Sequence, residues 1–190
     1  MKILCLQGSP RKRGSTNRML SWVQEALTAS GHEAEQIDLA TKDIGGCIGC
    51  YTCQRDPDEL ICARQDEGNA VLDAIADADA VIYATPLYCW GFSAQFKGLI
   101  DRHLSFVTNF MDPEKHRSHV EGKTMALLVT CGGEDVDGNT DCIKLIWQRL
   151  TAFGKCDPVY ELIVPGCTSA KSLGDEQKAW AQELAEKITA

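Results

Sequence analysis

The feature that most constrains the fold of this chain is a regular alternation of short apolar runs with amphipathic helical patterns. Five runs have the length and composition of strands, and they lie at 2–7, 33–39, 79–86, 123–130 and 157–164. Five helical patterns follow them, at 15–30, 66–78, 93–107, 141–153 and 175–189. Strands that alternate with helices predict an α/β, doubly wound, five-stranded parallel sheet, because right-handed crossovers place helices on both faces.

Composition limits both the size and the class of the protein. The 190 residues suffice for one well-buried domain, so we expect a single domain over 1–190. The hydrophobic share of 44% and the charged share of 24% are typical of a soluble globular protein. No apolar run approaches the roughly 20 residues that span a bilayer, and no signal-peptide pattern opens the chain, so we expect a cytoplasmic protein without a membrane partner.

Charge argues against one class of partner. The net charge is −8, and Lys and Arg cluster only in "RKRG" at 11–14. A nucleic-acid surface needs a broad basic stripe, so no nucleic-acid partner is expected. The short basic cluster predicts a local anion site instead.

The segment after the first strand, "GSPRKRGSTN", has the composition of a phosphate site. Gly8 permits a sharp turn, Ser9, Ser15 and Thr16 carry hydroxyls, and Arg11 has a planar fork that matches phosphate oxygens. The segment runs directly into a helix, whose first N–H groups favour an anion. It lacks both G-x-x-x-x-G-K-[ST] and G-x-G-x-x-G, which indicates one phosphate monoester rather than a nucleoside triphosphate or a dinucleotide. The alternative is a solvated basic turn capped by Ser15.

Two further segments follow buried strands and should lie beside the phosphate site, because ligands of such sheets bind at the carboxyl ends of the strands. In "TPLYCWGFSAQFKG", aromatic and apolar side chains suit a flat, partly polar ring. In "TCGGEDVDGNT", small residues let the backbone approach a ligand closely. Packing of Tyr88 and Trp90 on a loop or a second subunit, and an ordinary turn after the fourth strand, are the alternatives. One phosphate and one flat ring on this sheet together indicate FMN.

These motifs carry a resemblance. "GSPR...STN", "TPLYCWGFSAQFKGLIDR" and "CIGCYTC...C...DE" resemble the NADPH-dependent FMN reductase family of the flavodoxin-like fold, and more narrowly its iron–sulfur flavoprotein branch, over nearly the whole chain. The resemblance implies that the FMN phosphate is held by Ser9, Arg11, Ser15, Thr16 and Asn17. It implies an isoalloxazine site lined by Pro86, Leu87, Tyr88, Cys89 and Trp90, joined by Cys131, Gly132 and Gly133. It also implies a homodimer or homotetramer, with the helix that starts near Ser93 at a subunit contact.

Four cysteines lie in the long connection 41–65. In C-x2-C-x2-C followed by a distant cysteine, Cys47, Cys50, Cys53 and Cys62 match the ligand pattern of a 4Fe–4S cluster. The last gap, "QRDPDELI", is longer than in the iron–sulfur branch. Related flavoproteins carry similar cysteines followed by a paired acid, as in "CARQDE", and many of them need no cluster. Free or reversibly oxidised thiols, a cluster and a zinc site therefore all stay open.

The expected function is an FMN-dependent oxidoreductase of the NAD(P)H-dependent FMN or quinone reductase type. NAD(P)H would give hydride to the flavin, and a small-molecule acceptor would then use the same flavin face. No acid–base residue is assigned, because the flavin carries the chemistry. The alternatives are an electron carrier, with flavin and cluster reduced by ferredoxin, and a cofactor-free interaction module on the same fold.

Overall fold

The computed structural model describes residues 1–190 and is organised around one parallel sheet. In chain order the strands are β1 (Lys2–Gln7), β2 (Glu33–Asp38), β3 (Ala80–Pro86), β4 (Val107–Thr108), β5 (Arg117–Ser118), β6 (Thr124–Thr130) and β7 (Val159–Val164). Five of them form the sheet in the order β2-β1-β3-β6-β7, with every pairing parallel, whereas β4 and β5 pair as a separate antiparallel ribbon. This is the flavodoxin-like strand order, and the predicted fold class is confirmed.

Four of the five α-helices lie between strands of the sheet, and the fifth follows β7. They are α1 (Ser15–Ala29), α2 (Gly68–Asp77), α3 (Ala94–Ile100), α4 (Asp141–Phe153) and α5 (Asp175–Thr189). The helix predicted over 93–107 was too long, because α3 ends at Ile100 and a 3-10 turn follows at His103–Phe106. The chain turns there and brings the buried Arg102 to Asp66. The ribbon of β4 and β5 was not predicted, since two-residue strands are too short to show an alternating pattern.

The core has two halves, one on each face of the sheet. Alternate residues of β1 point to opposite faces: Ile3 and Cys5 belong to one apolar cluster, and Leu4 and Leu6 to the other. The first cluster includes side chains of α1 and α5, and the second includes side chains of α2, α3 and α4. Covering both faces leaves the carboxyl edge of the sheet as the place where loops from several strands meet. None of the helices has the length and apolar character needed to cross a membrane.

Candidate functional site

The loop after β1, residues 8–14, is shaped by hydrogen bonds within its own backbone and hydroxyls. Ser9 is buried, its hydroxyl oxygen accepts from the Arg11 N–H at 3.2 Å, and the Gly14 N–H reaches the Arg11 carbonyl at 3.0 Å. Helix α1 begins next, and no side chain caps its first N–H groups. Uncapped N–H groups at the start of a helix of 15 residues form an anion-binding end, and no acidic residue occupies its first turn.

Phe96 of α3 presses closely on this loop. A Cβ atom on Gly8 would lie 2.0 Å from a ring carbon of Phe96, so only glycine fits between the sheet and the ring. The Gly8 N–H also donates to the Ala84 carbonyl of β3 at 2.9 Å. The turn after β1 is therefore held by β3 and by the helix that follows β3.

One polar cavity of about 270 Å³ opens where four strands end. We call it the strand-tip cavity, and it is lined by Ser9, Arg11, Gly14, Ser15, Thr16, Pro86, Leu87, Tyr88, Thr130, Gly132, Cys167 and Thr168. Arg11 is the one charged residue among them, and no carboxylate lines the cavity. A single guanidinium, several hydroxyls and a free helix N-terminus together form a donor set for one phosphate group.

The structure brings most of the residues proposed from the sequence to this cavity, and places five of them elsewhere. Those outside its lining are Asn17, Cys89, Trp90, Cys131 and Gly133. The Asn17 amide donates to the Lys12 carbonyl at 2.6 Å, and the buried Cys131 thiol lies 3.3 Å from the Gly133 carbonyl. The role of these five in binding remains a prediction.

A tight turn after β3 accounts for the placement of Cys89 and Trp90. Tyr88 and Gly91 exchange two backbone hydrogen bonds of 3.0 and 3.1 Å, and the two residues between them have φ angles of +47° and +63°. Two consecutive left-handed residues form the type I′ turn, which glycine or asparagine usually occupies. The turn directs the Trp90 side chain outward, where 59% of it is exposed, while Tyr88 stays at the cavity.

Sequence reasoning missed four lining residues: Gly14, Thr130, Cys167 and Thr168. Thr130 ends β6, and its hydroxyl lies 2.7 Å from that of Thr16, which ties the start of α1 to the sheet. Cys167 and Thr168 follow β7, the edge strand beside β6. The sequence does contain a signal for them, because "PGCTS" after the fifth strand has the same small and hydroxyl-bearing character as the other loops.

The four clustered cysteines line a second, smaller cavity. We call it the cysteine cavity, and Cys47, Cys50, Cys53 and Cys62 share its lining with residues that include Arg64, Arg102 and Leu104. All ten cysteines of the chain are free thiols. No set of three or more Cys, His, Asp or Glu side chains is grouped closely enough to hold a single metal ion. This arrangement does not form the compact tetrahedral set of a structural zinc site.

Three of the four sulfur atoms have polar neighbours. The Gly49 N–H donates to the sulfur of Cys47 at 3.4 Å, and the Gln54 amide lies 3.5 Å from that of Cys53. Hydrogen bonds with the hydroxyl and with the backbone of Thr52 lower the pKa of the Cys50 thiol. Donors directed at sulfur stabilise thiolates, the form that ligates metal clusters.

A buried ion pair between Arg102 and Asp66 lies where the cysteine segment, residues 41–65, meets the rest of the fold. The carboxylate of Asp66 accepts from Arg102 at 2.5 Å, from Arg64 at 3.1 Å and from the backbone N–H groups of Gly45 and Gly68. Burial alone would raise the pKa of Asp66, but the hydrogen bonds, that of Arg102 foremost, outweigh it and lower the pKa to about 2. The carboxylate is therefore ionised at neutral pH and holds both ends of the segment.

The fold and the strand-tip cavity define a class, the flavodoxin-like proteins with a site for one phosphorylated ligand at the carboxyl edge of the sheet. The chain belongs, more narrowly, to the NADPH-dependent FMN reductase family, whose family model matches residues 1–140. It is 31% identical over 197 aligned residues to an iron–sulfur flavoprotein of Archaeoglobus fulgidus, covering 99% of this chain and 79% of that protein.

Two more comparisons support the same fold and family. An FMN-dependent NADH:quinone oxidoreductase of Escherichia coli is 29% identical, and the match covers 98% of this chain and 92% of that protein. The solved structure of an NAD(P)H:quinone oxidoreductase from Methanothermobacter marburgensis superposes with a TM-score of 0.74 at 19% identity, covering 98% of this chain and 96% of that one. At 19% identity this superposition shows a shared fold and nothing more.

Proposed function

We propose that this protein is an FMN-dependent oxidoreductase that takes electrons from NAD(P)H and passes them to a small-molecule acceptor such as free flavin or a quinone. The observation that carries the proposal is the strand-tip cavity, where loops from four strands of a flavodoxin-like sheet converge on one guanidinium and several hydroxyls. Membership of the FMN reductase family supports the same function.

The residues present fit the phosphate of FMN. Ser9, Ser15 and Thr16 would donate hydroxyl hydrogen bonds, the first N–H groups of α1 would add more, and Arg11 would neutralise charge. The fit rests on the chemistry of this donor set and on the uncapped helix, because an anion there replaces the missing cap.

The opposite wall of the cavity suits a flat ring. Pro86, Leu87 and Tyr88 present apolar and aromatic surface, and Gly132 leaves backbone open to a ligand. When bound, FMN would supply two-electron chemistry, accepting hydride from a nicotinamide and passing electrons on. The protein's own part is to bind and orient the ring and to leave one face open, and no acid–base residue is assigned.

A second candidate function is that of an electron carrier with a 4Fe–4S cluster, reduced by ferredoxin. The observation that favours it is the cysteine cavity, lined by all four cysteines, with polar donors at three sulfurs. A cluster spreads its thiolate ligands around a larger core than a single ion does, so the open grouping of the four sulfurs suits it. Those four thiolates would hold a one-electron centre.

Helix α3 supports a link between the two cavities. It has seven residues and spans about 10 Å, beginning after Ser93 beside the loop of β1 and ending just before Arg102 of the cysteine cavity. A relay of electrons between the two sites would need only this short path.

We also propose where and in what form the protein works. The whole chain, 1–190, would act as one flavodoxin-like domain in the cytoplasm, where reducing conditions keep ten free thiols unpaired. A homodimer or homotetramer would bury the exposed side chains of Tyr88 and Trp90 beside the flavin site.

Protein purified without oxygen tests both candidates. Flavin absorption together with oxidation of NADH or NADPH in the presence of FMN or a quinone is the expected result for the reductase. Negligible NAD(P)H turnover, with fast reduction by ferredoxin and about four irons per chain, would favour the carrier. A colourless protein that cannot be reconstituted with FMN would contradict both.

A further inference from the structure

The cysteine cavity contains a buried cation with an unused hydrogen-bond donor. Arg102 is 1% exposed, and its two terminal nitrogens donate to Asp66 and Asn69. Its Nε atom is buried and has no partner. The same side chain lines the cavity formed by the four cysteines. Buried polar groups are nearly always satisfied, so an unpaired N–H on a buried cation indicates a missing acceptor.

The charges around this cavity do not balance. Arg64 and Arg102 both line it, and each forms its ion pair with the same carboxylate, that of Asp66. No Asp or Glu is among the residues that line the cavity. One positive charge is therefore left in excess at its wall, which favours a negatively charged occupant.

We infer that Arg102 is the fixed positive charge that balances an anionic, thiolate-ligated iron–sulfur cluster in the cysteine cavity and raises its reduction potential. This inference rests on the second candidate function. A cluster held by four thiolates carries net negative charge, and one added electron makes that charge larger. A buried guanidinium attracts the reduced form more strongly than the oxidised form, because little solvent screens it. Arg102 acts here as a positioning and charge residue, not as a ligand.

Arg102 has this role rather than Arg64 because of its surroundings. The Arg64 side chain is 33% exposed, so water and salt screen its charge, whereas the Arg102 side chain is fully buried. Gly68 allows the close approach that holds it there, since a Cβ atom at that position would lie 2.2 Å from the Arg102 guanidinium. Asp66 and Asn69 then fix the plane of the group and leave Nε free.

The test is a potentiometric titration of full-length protein reconstituted with iron and sulfide, followed by the EPR signal of the reduced cluster. Arg102→Gln should shift the midpoint to lower potential, and Arg102→Lys, which keeps the charge, should return it most of the way to wild type. Arg64→Gln is the matched control and should shift the midpoint less. An unchanged midpoint in Arg102→Gln, or a shift no larger than that of Arg64→Gln, would overturn the role of Arg102.

A second variant keeps the inference testable if Arg102→Gln does not fold. Asp66→Asn removes the shared carboxylate and leaves both guanidinium charges, so the midpoint should rise. A fall or no change would contradict the inference. Wild-type protein that takes up no iron yet oxidises NAD(P)H would remove the carrier function and this role of Arg102 together. Iron-loaded protein with an unmoved midpoint would remove the role of Arg102 alone.

Discussion

The hydroxyl of Ser93 donates a hydrogen bond of 2.6 Å to the carbonyl oxygen of Gly8, and so joins the segment after β3 to the loop after β1. The same hydroxyl oxygen accepts from the Phe96 N–H at 3.5 Å and caps α3. The two walls of the strand-tip cavity are thus fixed to each other before any ligand binds. Such preorganisation lowers the entropy cost of binding.

We expect Arg11→Ala to weaken FMN binding by about tenfold. A hydrogen bond to a charged group contributes ~1.5–3 kcal/mol, and the proposed bond from Arg11 to the FMN phosphate would be partly exposed to water, which places it at the lower end. Quenching of flavin fluorescence measures the affinity. Arg13→Ala is the matched control, since Arg13 lies in the same loop outside the cavity lining and should leave the affinity nearly unchanged. Riboflavin, which lacks the phosphate, should bind both variants alike, and an equal loss for riboflavin would show that Arg11 does not contact the phosphate.

Gly8→Ala should destabilise the fold and release FMN. The new methyl group would lie 2.0 Å from the Phe96 ring, and overpacking of this kind costs about 1–3 kcal/mol. Urea unfolding followed by far-UV circular dichroism measures the change. Gly174→Ala, at the exposed start of α5, has no atom closer than 3.8 Å to the added Cβ and should change the free energy of unfolding far less. Equal stability of the two variants would rule out the close contact.

Cys89→Gly should raise the free energy of unfolding by about 1 kcal/mol. Cys89 has a φ of +47°, a conformation that is strained for any residue with a Cβ atom and free of strain for glycine. The same exchange at Cys142, in the first turn of helix α4, should lower stability slightly, because glycine is a poor helix former. Thermal unfolding compares the two. FMN affinity measured on Cys89→Gly also tests the ring-lining role predicted for Cys89, which a clear loss would support.

Stability should fall as the pH is lowered from about 4 to about 2. Asp66 has a pKa of about 2 in the folded protein against an ordinary value of 3.8, so in this range the unfolded chain binds a proton that the folded protein does not. The contribution of Asp66 is complete above that range. Asp66→Asn should lose this part of the pH dependence.

At neutral pH, Asp66→Asn should be less stable by about 3–5 kcal/mol, because it leaves the Arg102 charge buried without its partner. Asp58→Asn breaks an exposed pair with Arg117 and should cost less than about 1 kcal/mol. Urea unfolding at a series of pH values compares both variants with wild type. A loss for Asp66→Asn no greater than for Asp58→Asn would contradict the buried pairing.

The sheet was predictable because its central strands are continuous apolar runs, whereas the order of the strands was expected only from the resemblance to the flavodoxin-like fold. The convergence of Ser9, Arg11 and Thr16 on the cavity was predictable because they lie between the end of β1 and the first turn of α1. The directions of individual side chains could not be predicted from the sequence. Trp90 points outward because of a left-handed turn that its sequence does not favour, and Cys131 turns into the core.

Contacts between segments that are distant along the chain could not be predicted from the sequence. Asp66 and Arg102 are 36 positions apart, and nothing in either neighbourhood identifies the other as its partner. For the same reason Thr168 was not predicted as a lining residue. Its place at the cavity depends on β7 lying beside β6 at the edge of the sheet.

The carboxylate of Asp66 receives the backbone N–H groups of both Gly45 and Gly68, so the chain enters and leaves the cysteine segment at the same point. Closing a longer loop between two fixed ends costs only slightly more entropy, so the exposed part of this segment around Cys47 and Cys50 can change in length with little effect on the layers beneath it. The exposed part of the segment is therefore tolerant of insertion and deletion. A lineage could acquire or discard the clustered cysteines there while the strand-tip cavity, near the other end of α3, stayed unchanged.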